Sequence, residues 1–265
     1  MSDGIYSALS GAIAQQRSLD VVANNVANAN TVGFQADRVA FREALAGTGG
    51  AAGGPAAAAP GGGPPPNALR YVAVSEVARD TSAGSLRQTG NALDVALQGS
   101  GYFAIETPAG ERYTRAGSFI ADAQGIIRTR DGDAVVADRP DEADPSAEPP
   151  RIRVPQGTRE ISIGADGTVS ADGNAIGRFR IVAFADERAL TKQGQTLYAT
   201  QGGAAPTRAE GVEVVQGAVE MANVNAVAGM NELITVSRSF EAFQKVIQAF
   251  RQLDERTARE LGSRT

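Results

Sequence analysis

Between Glu220 and Gly262 the apolar residues Leu233, Val236, Phe240, Phe243, Ile247 and Phe250 recur at alternating spacings of three and four. This is the a/d repeat of a helix made to lie along another helix. No proline interrupts the stretch, and Glu241 with Lys245 forms an i,i+4 pair of the favourable order on an outer face. The pattern predicts one helix of roughly 60 Å, longer than a domain of this size is wide. Residues Asp3 to about Asn28 carry a second, thinner stripe: Ile5, Leu9, Ala12, Gln16, Leu19, Ala23 and Val26. Its small residues allow close approach, so the large side chains near the C-terminus are its natural complement. Ser2 or Asp3 can cap its start, and the Asn-rich run from Asn24 to Asn30, followed by Gly33, ends it in a turn.

The chain between these helices has a different rhythm. Phe34 to Leu45 reads as a short helix or an extended arm, and from Ala46 to Pro66 nearly every residue is Gly, Ala or Pro. Such a tract buries no apolar surface and reads as a linker. From Asn67 to Gly217, short alternating or β-branched runs alternate with turn signals, as in an all-β domain. Strands are predicted near Tyr71–Val77, Leu93–Leu97, Tyr102–Glu106, Arg112–Arg115, Ser118–Ala121, Ile126–Thr129 and Ala134–Val136. Further strands are predicted near Arg151–Val154, Glu160–Gly164, Thr168–Ser170, Gly177–Ala185, Thr196–Ala199 and Val212–Val219. Asp131-Gly132, Asp166-Gly167 and Asp172-Gly173 are turn dipeptides, and the acidic, proline-studded stretch Asp138 to Pro150 reads as an exposed loop.

The expected fold class is therefore α+β: a discontinuous coiled-coil domain formed by the N- and C-terminal helices, plus a central all-β domain. The divisions are 1–45 for the first helix and arm, 46–66 for the linker, 67–217 for the β domain and 218–265 for the long helix. The expected packing is antiparallel. A helix of roughly 40 Å cannot cover one of roughly 60 Å, which leaves seam for a second molecule.

Composition narrows the chemistry. The chain has neither Cys nor His, which excludes a Ser-His-Asp triad, a Cys nucleophile and zinc held by Cys or His. Its net charge of −5 with scattered basic residues argues against a nucleic-acid surface. No apolar run reaches membrane-spanning length, and the N-terminus lacks the pattern of a cleaved secretory signal. Gly99-Ser100-Gly101-Tyr102-Phe103-Ala104 matches G-x-G-x-x-A, but a dinucleotide site needs a helix after the glycines and here a strand continues. Asp131, Asp133, Asp166 and Asp172 lack calcium-loop spacing. Asp138, Asp141, Glu142 and Asp144 sit in a loop with no means of holding two carboxylates across a glycan. No catalytic, cofactor or metal site is expected. Asn24, Asn25, Asn28 and Asn30 read equally well as side-chain caps of a helix end or as amides bonded between subunits.

The motifs Tyr6-Ser7-Ala8-Leu9-Ser10-Gly11 and Ala23-Asn24-Asn25-Val26-Ala27-Asn28-Ala29-Asn30-Thr31-Val32-Gly33-Phe34 resemble the N-terminal signature of the bacterial flagellar rod and hook proteins. Asn223-Val224-Asn225-Ala226-Val227 with the helix after it resembles the C-terminal signature, and Leu93 to Phe103 and Tyr113 to Phe119 resemble β-domain segments of the rod members. Within the family the proximal-rod type is the nearer likeness and the distal-rod type the alternative. The 46–66 tract departs from the family pattern. So does Gly229, which costs about 1 kcal/mol against alanine and marks a bend or a close contact.

The resemblance implies a non-enzymatic subunit of the motor's drive shaft, located in the basal-body rod, exported unfolded through the flagellar type III apparatus and polymerised helically. Its implied partners are copies of itself, other rod and hook proteins and the export apparatus, with no nucleic acid and no membrane insertion. The implied N-terminal interface is Leu9, Leu19, Asn24, Asn25, Val26, Asn28, Asn30, Gly33 and Phe34. The C-terminal interface is Asn223, Asn225, Leu233, Val236, Phe240, Phe243, Ile247 and Phe250. A β-domain peptidoglycan-binding module with a helical dimerisation stalk is the alternative from another class.

Overall fold

The structure is a computed structural model and describes residues 2–46, 69–139, 150–201 and 205–262. Most of the 46–66 tract and of the Asp138 to Pro150 loop lie outside the described residues. A helix at each end, α1 (Ser2–Ala27) and α2 (Ala226–Gly262), flanks a β-rich middle. The chain divides into two units. One comprises Met1–Val26, Asp37–Ala78 and Ala226–Thr265; the other comprises Ala27–Ala36 and Arg79–Asn225.

The first unit holds α1, α2 and a two-stranded sheet of β1 (Asp37–Ala46) and β2 (Leu69–Arg79). The segment after Phe34 is thus an extended arm. Leu69–Ala78, which the composition groups with the β domain, belongs to the helical unit, where its strand pairs with β1.

The second unit is organised on the hairpin of Tyr102–Thr107 and Gly110–Thr114, in register from Phe103↔Thr114 to Thr107↔Gly110. Four consecutive residues, Tyr102 to Ile105, are buried. Successive side chains of a strand point to opposite faces, so this strand serves two cores. Phe103 and Ile105 join Val95, Phe119, Ile127, Ile152 and Phe179, with the rings of Phe103 and Phe119 edge to face at 5.2 Å. Tyr102 and Ala104 join Tyr113, Val182, Phe184 and Tyr198. A strand follows Gly101 directly, where a dinucleotide fingerprint opens a helix.

The nine-stranded sheet runs from Leu190–Gln193 through Leu197–Thr200, Gly110–Thr114, Tyr102–Thr107, Ala134–Val135 and Ile127–Thr129 to Phe119–Ala121, with Ile181–Ala183 and Thr207–Arg208 off that path. A separate three-stranded sheet turns at Asp172-Gly173. Both residues have positive φ (48° and 83°) and Ala171 faces Asn174, as a two-residue hairpin loop requires.

Two strands expected to be continuous are broken. Val212–Val219 divides at Gly217 into Glu213–Gln216 and Ala218–Glu220, which pair with different partners. Gly177–Ala185 divides because Phe179 turns into the core, leaving Asn174–Arg178 and Ile181–Ala183. Arg151–Val154 makes only isolated bridges, and Leu86–Gln88, Leu190–Gln193 and Thr207–Arg208 are strands the pattern did not mark.

Candidate assembly site

The helical unit joins a face of small residues to a face of large ones. A Cβ built on Gly11 would stand 2.5 Å from the ring of Phe243, one on Gly4 would stand 2.8 Å from Phe250, and one on Gly229 would stand 2.7 Å from Val26. As the number rises along α1 it falls along α2, so the helices run antiparallel. Each glycine makes the room that a ring or a branched side chain fills, which accounts for Gly229 as a close contact. Leu233, Val236, Phe240, Phe243, Ile247 and Phe250 are all half-buried, and most of their neighbours on α2 are exposed.

On α1 the inward face is rotated from the expected stripe. Ala8, Gly11, Ala12, Ala14, Val21 and Val22 are buried and Leu19 and Val26 half-buried, but Leu9 is 44% exposed and Gln16 and Ala23 also face out. The reason is steric: the rings of Phe250 and Phe243 seat on Gly4 and Gly11, which draws that face inward and turns Leu9 out. The long helix has 37 residues and the short one 26, so the end of α2 runs past α1.

Several of the signature asparagines have partners within the chain. Asn25 Nδ2 donates to the Asp37 carbonyl at 2.8 Å, and its Oδ1 accepts from the Asp37 amide at 3.0 Å, fixing the start of β1. Asn28 is buried, and its Oδ1 accepts from Thr31 Oγ1 at 3.2 Å while Thr31 N–H bonds back to the Asn28 carbonyl. Asn223 Oδ1 accepts the Ala36 amide at 2.7 Å, and its Nδ2 donates to the carbonyls of Asp80 and Ser82. The Asn25 amide thus pairs with the backbone of β1, and the Asn28 amide with the side chain of Thr31 in the turn after α1. Asn24, Asn30 and Asn225 are exposed.

The segment Ala27–Ala36 is strapped into the β unit. Gly33, at φ 70°, donates to the Glu220 carbonyl and lies so close to Ala116 that no side chain fits. Phe34 is fully buried beneath Lys192, whose Nζ stands 4.0 Å from the ring centroid and donates to the Gln35 carbonyl. Arg115 reaches Glu220 with Nε and Nη2, and donates also to the carbonyls of Gly99 and Gly101. Sequence reasoning missed Arg115, Glu220 and Lys192 as a set, since they are far apart in the chain. It also missed the outward-facing apolar residues Tyr6, Ile13, Val227, Met230 and Ile234, whose spacing was present but overshadowed by the seams.

The turn aspartates have structural duties. Asp166 is held below the usual carboxylate range by the hydroxyl and amide of Thr168, and Asp172 accepts from the amides of Arg159 and Glu160. Burial, followed by the charge of Asp131, raises Asp133. No group of His, Cys, Asp and Glu suited to a metal occurs among the described residues, and no helix described is long and apolar enough to cross a membrane. A cleft of about 520 Å³ in the β unit is lined by Gln88, Thr89, Gly90, Asn91, Ala92, Gln216 and Gly217, none of which titrates as a general acid or base.

One unit made from both chain ends, and another from the middle, define a protein of terminal-helix architecture. Family models match in three places: Flagella basal body rod protein at residues 5–35, Flagellar hook protein FlgE/F/G D1 domain at 96–171, and Flagellar basal body rod FlgEFG protein C-terminal at 215–260. The flagellar basal-body rod protein FlgF of Caulobacter vibrioides is 31% identical over 99% of both chains, and that of Mesorhizobium japonicum is 31% identical over 100% of both. FlgG of Bacillus subtilis is 36% identical over 93% of this chain and 94% of its own. The chain belongs to the flagellar basal-body rod protein family.

Proposed function

We propose that the protein is a structural, non-enzymatic subunit of the basal-body rod, of the proximal FlgF type. It polymerises helically with copies of itself and with other axial proteins after passage through the flagellar export apparatus. The observation that carries this reading is the helical unit: both chain ends close on each other along the seam while their outer faces keep exposed apolar residues. A helix pair with its seam filled and its back still apolar is suited to stacking in a tube. The seam residues from Leu233 to Phe250, and Leu19 and Val26 opposite them, then build the helix pair as a coiled coil, and Leu9 contributes an outer contact. Asn25, Asn28, Asn223, Gly33 and Phe34 hold the chain in shape for assembly.

The test is complementation. Expressed in flagellated cells lacking FlgF, the chain should restore swimming and be present in purified basal bodies; motile cells whose basal bodies lack it would overturn the reading. The relatives of FlgG type favour the distal rod as the second reading, and rescue of a strain lacking FlgG in place of one lacking FlgF would select it.

A further inference from the structure

The helix pair carries two apolar stripes that its seam does not use. On α1, Tyr6, Leu9 and Ile13 are 63%, 44% and 57% exposed, and on α2, Val227, Met230 and Ile234 are 71%, 54% and 50% exposed. Both sets have the same spacing, three then four. At 3.6 residues per turn each lies roughly 150° around its helix from the seam, so the stripes are on opposite sides of the pair. Their settings match in charge: residues 4–16 contain no Asp, Glu, Lys or Arg, and Glu232 is the only charged residue from Ala226 to Ser237. The rest of α2 is studded with charge from Arg238 onward.

We infer that the Tyr6–Leu9–Ile13 stripe of one copy docks on the Val227–Met230–Ile234 stripe of a second copy, head to tail. This rests on the assembly reading above and assigns its contact faces. Opposite placement decides the symmetry. A closed pair would have to satisfy both stripes of both copies at once, which stripes on opposite sides of a helix pair do not permit. Each docking leaves one stripe open at either end, and a contact of this kind propagates.

The registers also set a step. Within one chain Gly11 meets Phe243, whereas in the docked pair Leu9 of one copy lies beside Met230 of the other. With helices kept parallel between copies, that difference is about 15 residues, an axial offset of about 23 Å. The six side chains would bury about 700 Å² in all, below the 1,200–2,000 Å² of a stable isolated complex. The contact is therefore too weak to hold two free molecules and is completed only where several neighbours add their own.

The chain has no cysteine, which makes the test direct. Leu9→Cys and Met230→Cys are introduced together into the full chain, in flagellated cells lacking their own copy, and basal bodies are treated with a copper–phenanthroline oxidant. A ladder of disulfide-linked dimers, trimers and higher species is expected, with Leu9→Cys alone giving none. Basal bodies that contain the chain but yield no ladder, or a dimer from Leu9→Cys alone, would overturn the stripe contact and leave the rod assignment standing. Basal bodies without the chain in swimming cells would overturn both. Ile13→Glu supplies a second arm: at least a tenfold loss of swimming is expected, with helicity and thermal unfolding of the free chain unchanged. Full swimming with that variant would also refute the contact.

Discussion

Arg115 Nη2 stands 2.8 Å from Glu220 Oε2, and the two side chains are only 6% and 5% exposed. The second carboxylate oxygen accepts the Gly84 amide, and the guanidinium also bonds the carbonyls of Gly99 and Gly101. Breaking a buried pair by removing one partner strands the other charge away from water. Glu220→Gln or Arg115→Met should therefore cost about 3–5 kcal/mol of stability in the β unit. Denaturant unfolding followed by circular dichroism measures it; a loss below about 1 kcal/mol would mean water reaches the pair.

Asn223 ties Ala36 to Asp80 and Ser82 with one amide. Asn223→Ala orphans the Ala36 amide and should cost about 1–3 kcal/mol. Asn223→Asp keeps the acceptor and loses the donors, so Ala36 should stay protected while overall stability falls. Hydrogen exchange at Ala36 separates the two variants: fast exchange in Asp but not in Ala would contradict the geometry.

Phe243 seats its ring on Gly11. Gly11→Val should overpack the contact and destabilise the helix pair by about 1–3 kcal/mol. Phe243→Asp should unwind the pair in the free chain, before any question of polymerisation arises. Far-ultraviolet dichroism of the monomer reads both, and unchanged helicity in both would show that the seam does not hold the helices together.

Burial raises the hydroxyls of Tyr102 and Tyr113 above their ordinary value of 10, and at Tyr113 the charge of Glu111 and the hydrogen bond to it add to the effect. Below pH 10 both folded and unfolded states hold the proton and stability is unaffected. Above it the unfolded chain ionises while the folded one resists, so stability falls as pH rises. Tyr113→Phe should flatten that decline; an alkaline unfolding curve identical to the parent's would refute the argument.

Elements with a strong local period were legible in the sequence. The α2 seam from Leu233 to Phe250 is legible because its large residues recur without interruption, and the turn at Asp172-Gly173 because that dipeptide favours a two-residue hairpin loop. The buried face of α1 lies one position from the stripe its pattern predicts. Alanine and glycine carry little hydrophobic signal, and Leu9 drew the pattern toward a face that turns outward. The breaks at Gly217 and Phe179 were hidden because each half of the run is an acceptable strand by itself.

The sequence alone determined that the chain ends in helices, that its middle is β-rich, that Cys and His chemistry is excluded, and which family the motifs resemble. These follow from period, composition and short contiguous signatures. Only the tertiary structure decided that Arg115 pairs with Glu220, that Asn223 bonds Ala36, and that Phe243 rests on Gly11. Each joins residues a hundred or more positions apart, and local spacing holds no record of which distant group a side chain meets. That choice is made by shape, where a missing Cβ admits a ring, and by burial, where a charge must find its counterpart.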